Sequence, residues 1–415
     1  MSKQLGGFVR LSFGNIIEWY DFSLYVYFAV FIARDFFPSH NAYLSMLLAF
    51  ATFFVGSITR PLGGLMIGWL SDRHHPGRMI HLCVIAMGIS TFLVALLPDY
   101  TQIGIYAPLL LVLLRIIQGL SVGGQFPGLI SLSVNDYQKA KGLAVGFVFS
   151  ISSLGFLLAS VIGFFTTSIF KHQPTQLIWR IPFALSGVLF VIYLYLNRRQ
   201  SDAFSKRQPS KNNVFLSLIK QYPAIIAVTC LTTMAASLYY VVFTYLVNYQ
   251  ITTLGISEQT AFLINSFTLI TACILYPIFG HFADRIGAKR LFYFASALLF
   301  ILAIPLIGLI QRENTILTLT AMVLFTLFMA AIQGAISPLF AEIFDAEWRT
   351  TGCAFAYSIG NGLSGGAPFV ALTLVHLNPD YGLGLFMMAL LLIGIFGLIL
   401  AKRITKSALK PQITV

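Results

Sequence analysis

Glu18 and Asp21 stand three residues apart in the stretch from Gly14 to Asp21, GNIIEWYD, inside an otherwise apolar helical run. A charge near the middle of a membrane costs about 2.5–3.5 kcal/mol on insertion scales, so such acids are retained where they are paired or functional. Two arginines are placed to answer them: Arg60 in the second apolar run and Arg115 in the fourth. A guanidinium grips a carboxylate through two parallel hydrogen bonds, whether the carboxylate belongs to the protein or to a ligand. An acid that titrates beside such an arginine does the chemistry of proton-linked binding. Asp21 is the first candidate for the titrating group and Glu18 the second, with Arg115 as the counter-charge that protonation releases. Static pairs that only lock the helices together satisfy the same charges and remain the alternative.

Asn15, Glu18, Phe22 and Tyr25 recur every three or four residues and share one helix face, with Asp21 on its flank. Gln118 and Gln125 lie on or near the face of Arg115. The second half of the chain carries milder polar groups within its helices, among them Thr244, Asn248, Asn265, Gln333 and Asn361, so it is expected to shape and close the site rather than titrate. The candidate substrate contacts are therefore Asn15, Tyr25, Arg60, Arg115, Gln118, Gln125, Tyr240 and Asn361. Arg60 and Arg115 favour a ligand that bears a carboxylate.

The elements that must position these residues follow from composition. Of 415 residues, 58% are hydrophobic and 10% charged, which marks a membrane protein. Twelve apolar runs are each long enough to cross about 30 Å of hydrocarbon: 11–33, 45–70, 79–97, 106–133, 142–168, 178–197, 222–248, 259–283, 290–310, 314–343, 351–376 and 381–401. Only one connection is long and polar, 197–221. The expectation is an all-α membrane protein of twelve transmembrane helices in two six-helix halves, 1–196 and 222–415, joined by that loop.

The net charge of +12 does not point to nucleic acid, because position matters more than sum. Twenty of the 26 Lys and Arg residues fall on the side of the N-terminus and four on the other, with Arg60 and Arg115 inside helices. The positive-inside rule then puts both termini in the cytoplasm. The N-terminal MSKQLGGFVR is too short for a cleaved signal peptide, so the first helix is expected to stay. Cys83, Cys230, Cys273 and Cys353 show no disulfide or zinc spacing and read as small apolar packing residues. No nucleophile constellation, metal cluster or phosphate loop appears, so neither an enzyme, a resident cofactor nor primary transport is expected.

Internal repetition supports two halves. Gly68-Trp-Leu-Ser-Asp72-Arg73 follows the second run and Gly280-His-Phe-Ala-Asp284-Arg285 the eighth, as parallel repeats would. Gln118-Gly119 and Gln333-Gly334 recur at a similar offset. Glycines four apart, such as Gly64 and Gly68, Gly119 and Gly123, and Gly362 and Gly366, let helices approach closely. Pro127 and Pro338 are expected to break the fourth and tenth helices.

These residues together resemble the metabolite:H+ symporter family of the major facilitator superfamily. The resemblance rests on Gly14 to Phe22 with Tyr25, on Arg60-Pro61-Leu62-Gly63, on Arg115-Ile-Ile-Gln118-Gly119-Leu-Ser-Val-Gly123-Gly124, and on Glu342-Ile-Phe344 with Arg349, Gly352 and Gly365-Gly366-Ala367-Pro368. It implies the major facilitator fold and proton-driven import of a small organic acid or zwitterion across the inner (plasma) membrane, by a monomer embedded in the lipid bilayer. It further implies that Asp21, Glu18 and Arg115 couple or bind. Gly68, Asp72, Arg73 and Arg78, with Gly280, Asp284, Arg285, Arg290, Glu342 and Arg349, would form gate motifs. Two departures stand out. Gln125, which cannot titrate, occupies a position where relatives usually carry glutamate; any proton coupling then falls on Asp21 and Glu18, and the alternative is a uniporter or exchanger without proton coupling, or a ligand sensor that does not transport. His74-His75-Pro76 lengthens the first gate motif.

Overall fold

The computed structural model describes residues 2–64, 66, 76–122, 125–171, 175–197, 222–344 and 349–408. The described residues form twelve spans. Span 1 runs from Ser2–Tyr27 into Ala29–Phe36, bent by 59° at Phe28. Spans 2 and 3 are Ala42–Gly64 and Pro76–Leu96, and span 4 is Tyr106–Ser121 followed by Gln125–Asp136. Spans 5 and 6 are Lys141–Ile169 and Thr175–Asn197. Span 7 joins Tyr222–Tyr240 to Leu246–Thr252 through a π-helical turn, Val241–Tyr245. Span 8 is Glu258–Phe282, with a second π turn, Ala283–Gly287, leading into span 9, Ala288–Ile310. Spans 10 to 12 are Thr315–Ile336 with Leu339–Glu342, Arg349–Ser364 with Ala367–Leu377, and Gly382–Ala408.

Local chemistry explains several boundaries. Asn41, Ser257 and Asn314 cap the starts of spans 2, 8 and 10, each side chain accepting from backbone N–H groups of the first turn. Such a cap contributes about 1 kcal/mol by satisfying donors the helix leaves open. Span 10 breaks at Ser337 and Pro338 as expected, and span 4 restarts just before Pro127. The break in span 1 and the two π turns have no proline at the site and were not anticipated from periodicity.

Within the first half, span 1 packs on spans 5 and 6, span 3 lies between 4 and 6, and span 2 lies on span 4. In the second half, span 7 packs on 11 and 12, span 8 on 10, and span 9 on 10 and 12. The halves meet mainly through span 5 against span 8 and span 2 against span 11. A shift of six spans turns span 2 into 8 and span 5 into 11, so the two contacts are related as the repeat requires.

The span 5–span 8 contact is backbone on backbone. A Cβ added to Gly142 would stand 2.2 Å from the carbonyl oxygen of Gly280, and one added to Gly280 would stand 2.1 Å from that of Gly142. Only glycine permits this approach. Apolar side chains such as Phe294 and Ile301, about two-thirds exposed, cover the outer surface where lipid supplies the surroundings.

Candidate substrate and proton site

Span 1 carries Glu18 and Asp21 into the middle of the bundle, where they are 8% and 2% exposed. Arg60 on span 2 and Arg115 on span 4 are buried beside them. Asp21, Phe22, Phe53, Arg60, Arg115 and Gln118 line one small cavity of about 20 Å³, room for a water molecule. The acids and arginines fall into two couples. Arg60 is the charged group acting on Glu18, and Arg115 the one acting on Asp21.

Neither couple closes into a contact ion pair; the described residues hold salt bridges only at Arg34–Asp35 and Lys141–Glu342. This departs from the pairing expected from charge balance. The arginines instead lie on aromatic faces, with the Arg115 guanidinium carbon 3.9 Å from the Tyr25 ring centroid and that of Arg60 4.1 Å from Phe22. A desolvated guanidinium gains about 2 kcal/mol from such a ring, which holds it in place without consuming its donors. Both Asp21 oxygens, Nε and Nη2 of Arg115, Nε of Arg60 and Oε1 of Gln118 are buried without hydrogen-bond partners. Buried polar groups are otherwise satisfied almost everywhere in proteins, so a cluster of open donors and acceptors around one cavity is a place prepared for a ligand.

The other candidates divide. Gln118 reaches the cavity and donates through Nε2 to Thr91 Oγ1 at 2.6 Å. Tyr25 offers its ring to Arg115 while its hydroxyl donates to the Ala49 carbonyl at 3.0 Å. Asn361 accepts at Oδ1 from Arg60 Nη1 at 2.8 Å and from the Tyr240 hydroxyl at 2.9 Å, so Asn361 meets the first half at Arg60, while the Tyr240 ring lies 5.3 Å from that of Phe22. Asn15 is turned toward span 5, donating to Ser152 Oγ at 2.8 Å and accepting from Trp19 Nε1 at 3.1 Å. It fastens helices and does not line the cavity. The Gln125 side chain lies outside the described residues.

The gate residues are partly described. Asp284 accepts at Oδ1 from the N–H of Gly142 (2.8 Å) and at Oδ2 from that of Leu143 (3.0 Å), at the start of span 5 in the other half. Glu342 binds Lys141 Nζ at 2.5 Å across the same seam. Arg285 and Arg290 are exposed nearby. Gly68, Asp72 and Arg73, and the side chains of Arg78 and Arg349, lie outside the described residues. At the opposite end Asn248 Nδ2 donates to the Val26 carbonyl (2.7 Å) and Asn265 Nδ2 to the Tyr27 hydroxyl (2.9 Å), joining spans 7 and 8 to span 1. The halves are thus fastened at both ends of the bundle. Lys141, Gly142 and Thr91 were not singled out from sequence; the spacing of Gly142 and Gly146, four apart, was the available signal.

The model of the Major Facilitator Superfamily matches residues 11–368. The shikimate transporter of Escherichia coli strain K12 is 32% identical over 384 residues, 87% of this chain and 86% of that protein. The citrate-proton symporter of Salmonella typhi is 29% identical over 385 residues, 90% of this chain and 88% of that protein. Among solved structures, a D-xylose-proton symporter superposes with a TM-score of 0.71 at 16% identity, covering 96% of this chain and 97% of that one, which shows the fold. The family match and these relatives show that the chain belongs to the metabolite:H+ symporter family of the Major Facilitator Superfamily, as a multi-pass inner-membrane transporter.

Proposed function

We propose that this protein imports a small organic acid or carboxylate-bearing zwitterion together with protons, by alternating access of the two halves. The observation that carries the reading is the cavity shared by Asp21 and Arg115, in which both groups are buried and both keep hydrogen-bonding capacity unspent. Arg115 offers free N–H groups to a substrate carboxylate, and Arg60 lines the same cavity. Asp21 takes the coupled proton. Neutral Asp21 leaves Arg115 free to hold the substrate anion, and ionised Asp21 competes with that anion for the guanidinium and expels it. The names of the relatives agree with this chemistry, since citrate and shikimate both bear carboxylates and one relative is a proton symporter.

Within this reading both termini face the cytoplasm, the halves are 1–196 and 222–415 with 197–221 as the linking loop, and the working unit is a monomer in the bilayer. Glu18 is the second titrating group. Gly68, Asp72, Arg73 and Arg78 of the first half and Gly280, Asp284, Arg285, Arg290, Glu342 and Arg349 of the second are the gate motifs at the cytoplasmic end, which carries the termini.

The test is uptake into liposomes under an imposed pH difference, with citrate, shikimate, proline and betaine as probes after a thermal-shift screen selects a binder. The wild type accumulates the selected probe against its gradient and takes up protons with it. The Asp21→Asn variant is expected to exchange the probe but not to accumulate it. Undiminished accumulation by Asp21→Asn refutes the assignment of Asp21, and uptake without proton movement refutes symport.

A further inference from the structure

Arg60 makes a choice of partner that charge alone does not explain. It is 5% exposed, its neighbour in charge is the Glu18 carboxyl group, and yet its Nη1 donates to the neutral amide oxygen of Asn361 at 2.8 Å. Glu18 forms no salt bridge with it. An ionised carboxylate is a roughly twofold stronger acceptor than an amide for such a donor. The arrangement is the one expected when Glu18 is neutral.

The amide of Asn361 is also held in the orientation that Arg60 requires. Its Oδ1 accepts from the Tyr240 hydroxyl at 2.9 Å, and its Nδ2 donates to the Tyr357 hydroxyl at 3.2 Å. A flipped amide would turn its donor toward Arg60, which has only donors to offer. Tyr240 and Asn361 lie on spans 7 and 11 of the second half, whereas Arg60 and Glu18 lie in the first. The hydrogen bond therefore crosses the seam between halves at mid-membrane.

We infer that Asn361 is the positioning residue that fastens Arg60 across the two halves in the closed state, and that ionisation of Glu18 withdraws Arg60 from it and frees the halves to part. The groups facing Glu18 are Arg60 from span 2, Tyr240 from span 7 and Tyr357 from span 11, with Asp21 on its own helix. Arg60 is the only cation among them, so the contest for its guanidinium lies between Glu18 and Asn361. Arg60 Nε, at present without a partner, has capacity to follow the shift. Proton binding at Glu18 then favours closure, and proton loss favours opening. The inference rests on the proposed function only in taking the proton as the coupled ion.

Spin-label distances test it without substrate or flux. One label pair at Ala42 and Leu377 reports the end away from the termini, and a second at Lys139 and Lys289 reports the other end. Wild type in nanodiscs is expected to show short distances at both ends at acid pH and a longer population at one end at alkaline pH. Glu18→Gln is expected to stay short at every pH. Asn361→Ala is expected to lose the acid-induced closure and its pH dependence. A wild-type pH shift surviving in Asn361→Ala overturns the inference. So does a wild-type shift in Glu18→Gln, which would assign the switch to Asp21 alone, and so does a wild type whose distances ignore pH. Failure of symport itself appears in the liposome assay as absent proton uptake, so the two failures are distinguishable.

Discussion

Asp284 caps a helix that belongs to the other half of the protein: its carboxylate accepts hydrogen bonds from the N–H groups of Gly142 and Leu143, 2.8 and 3.0 Å away. A helix cap is ordinarily supplied by a residue next to the helix in sequence. Here it comes from the turn after span 8, with the negative charge set at the positive end of span 5's dipole. Parting the halves removes the cap. Asp284→Ala is expected to weaken this closure by about 1 kcal/mol, within the range for loss of a cap. Alkylation of a cysteine placed at Lys139 should become several-fold faster in Asp284→Ala. An unchanged rate would show that the cap does not hold the gate.

The glycine contact beneath that cap sets a steric test. Gly142→Ala or Gly280→Ala drives a methyl group into a backbone carbonyl about 2.2 Å away, which only separation of spans 5 and 8 relieves. Transport is expected to fall at least tenfold while the protein still inserts. Gly308→Ala, with nothing within 4 Å of its added Cβ, is the control and should transport normally. Normal transport by Gly142→Ala would mean that this seam need not close.

Arg115→Lys preserves charge and removes the planar fork. An ammonium on Tyr25 keeps the cation–ring attraction but presents no paired N–H groups to a carboxylate. The KM for the carboxylate probe is therefore expected to rise at least tenfold, about 1.4 kcal/mol of lost binding. A KM unchanged from wild type would remove Arg115 from the substrate's contacts.

At the opposite end two neutral amides, Asn248 and Asn265, fasten spans 7 and 8 to span 1. Asn248→Ala and Asn265→Ala should each lengthen the Ala42–Leu377 label distance, and their double variant should exceed either alone. Both bonds are uncharged, so salt should weaken this closure less than the end held by the Lys141–Glu342 bridge, whose side chains are 26% and 33% exposed. Equal salt sensitivity at the two ends would contradict this account.

The twelve spans were legible because each needs enough apolar residues to cross the membrane, a constraint written into every run. The cavity's charged members were legible for the complementary reason that charge is costly there: Glu18, Asp21, Arg60 and Arg115 each break an apolar pattern. What periodicity does not encode is the partner of each group. Charge counting predicts ion pairs, whereas aromatic rings and the Asn361 amide take the arginines. Asn15 shares the periodic face of Glu18 yet serves helix packing, since a face 100° wide meets more than one neighbour. The π turn at Val241–Tyr245, every residue of which is buried, leaves no mark in residue spacing.

The two ends of the bundle are closed by different materials, and temperature should tell them apart. Near Gly142 and Gly280 the seam is peptide groups and charge, whereas Tyr27 and Phe28 meet the ring of Phe262 at the other end, with centroids 5.9 and 5.6 Å apart. Wetting aromatic surface raises heat capacity, and wetting peptide groups lowers it. Opening at the aromatic end therefore carries the positive heat-capacity change, and cooling weakens that closure relative to the other. The balance between the two closures is therefore expected to shift with temperature.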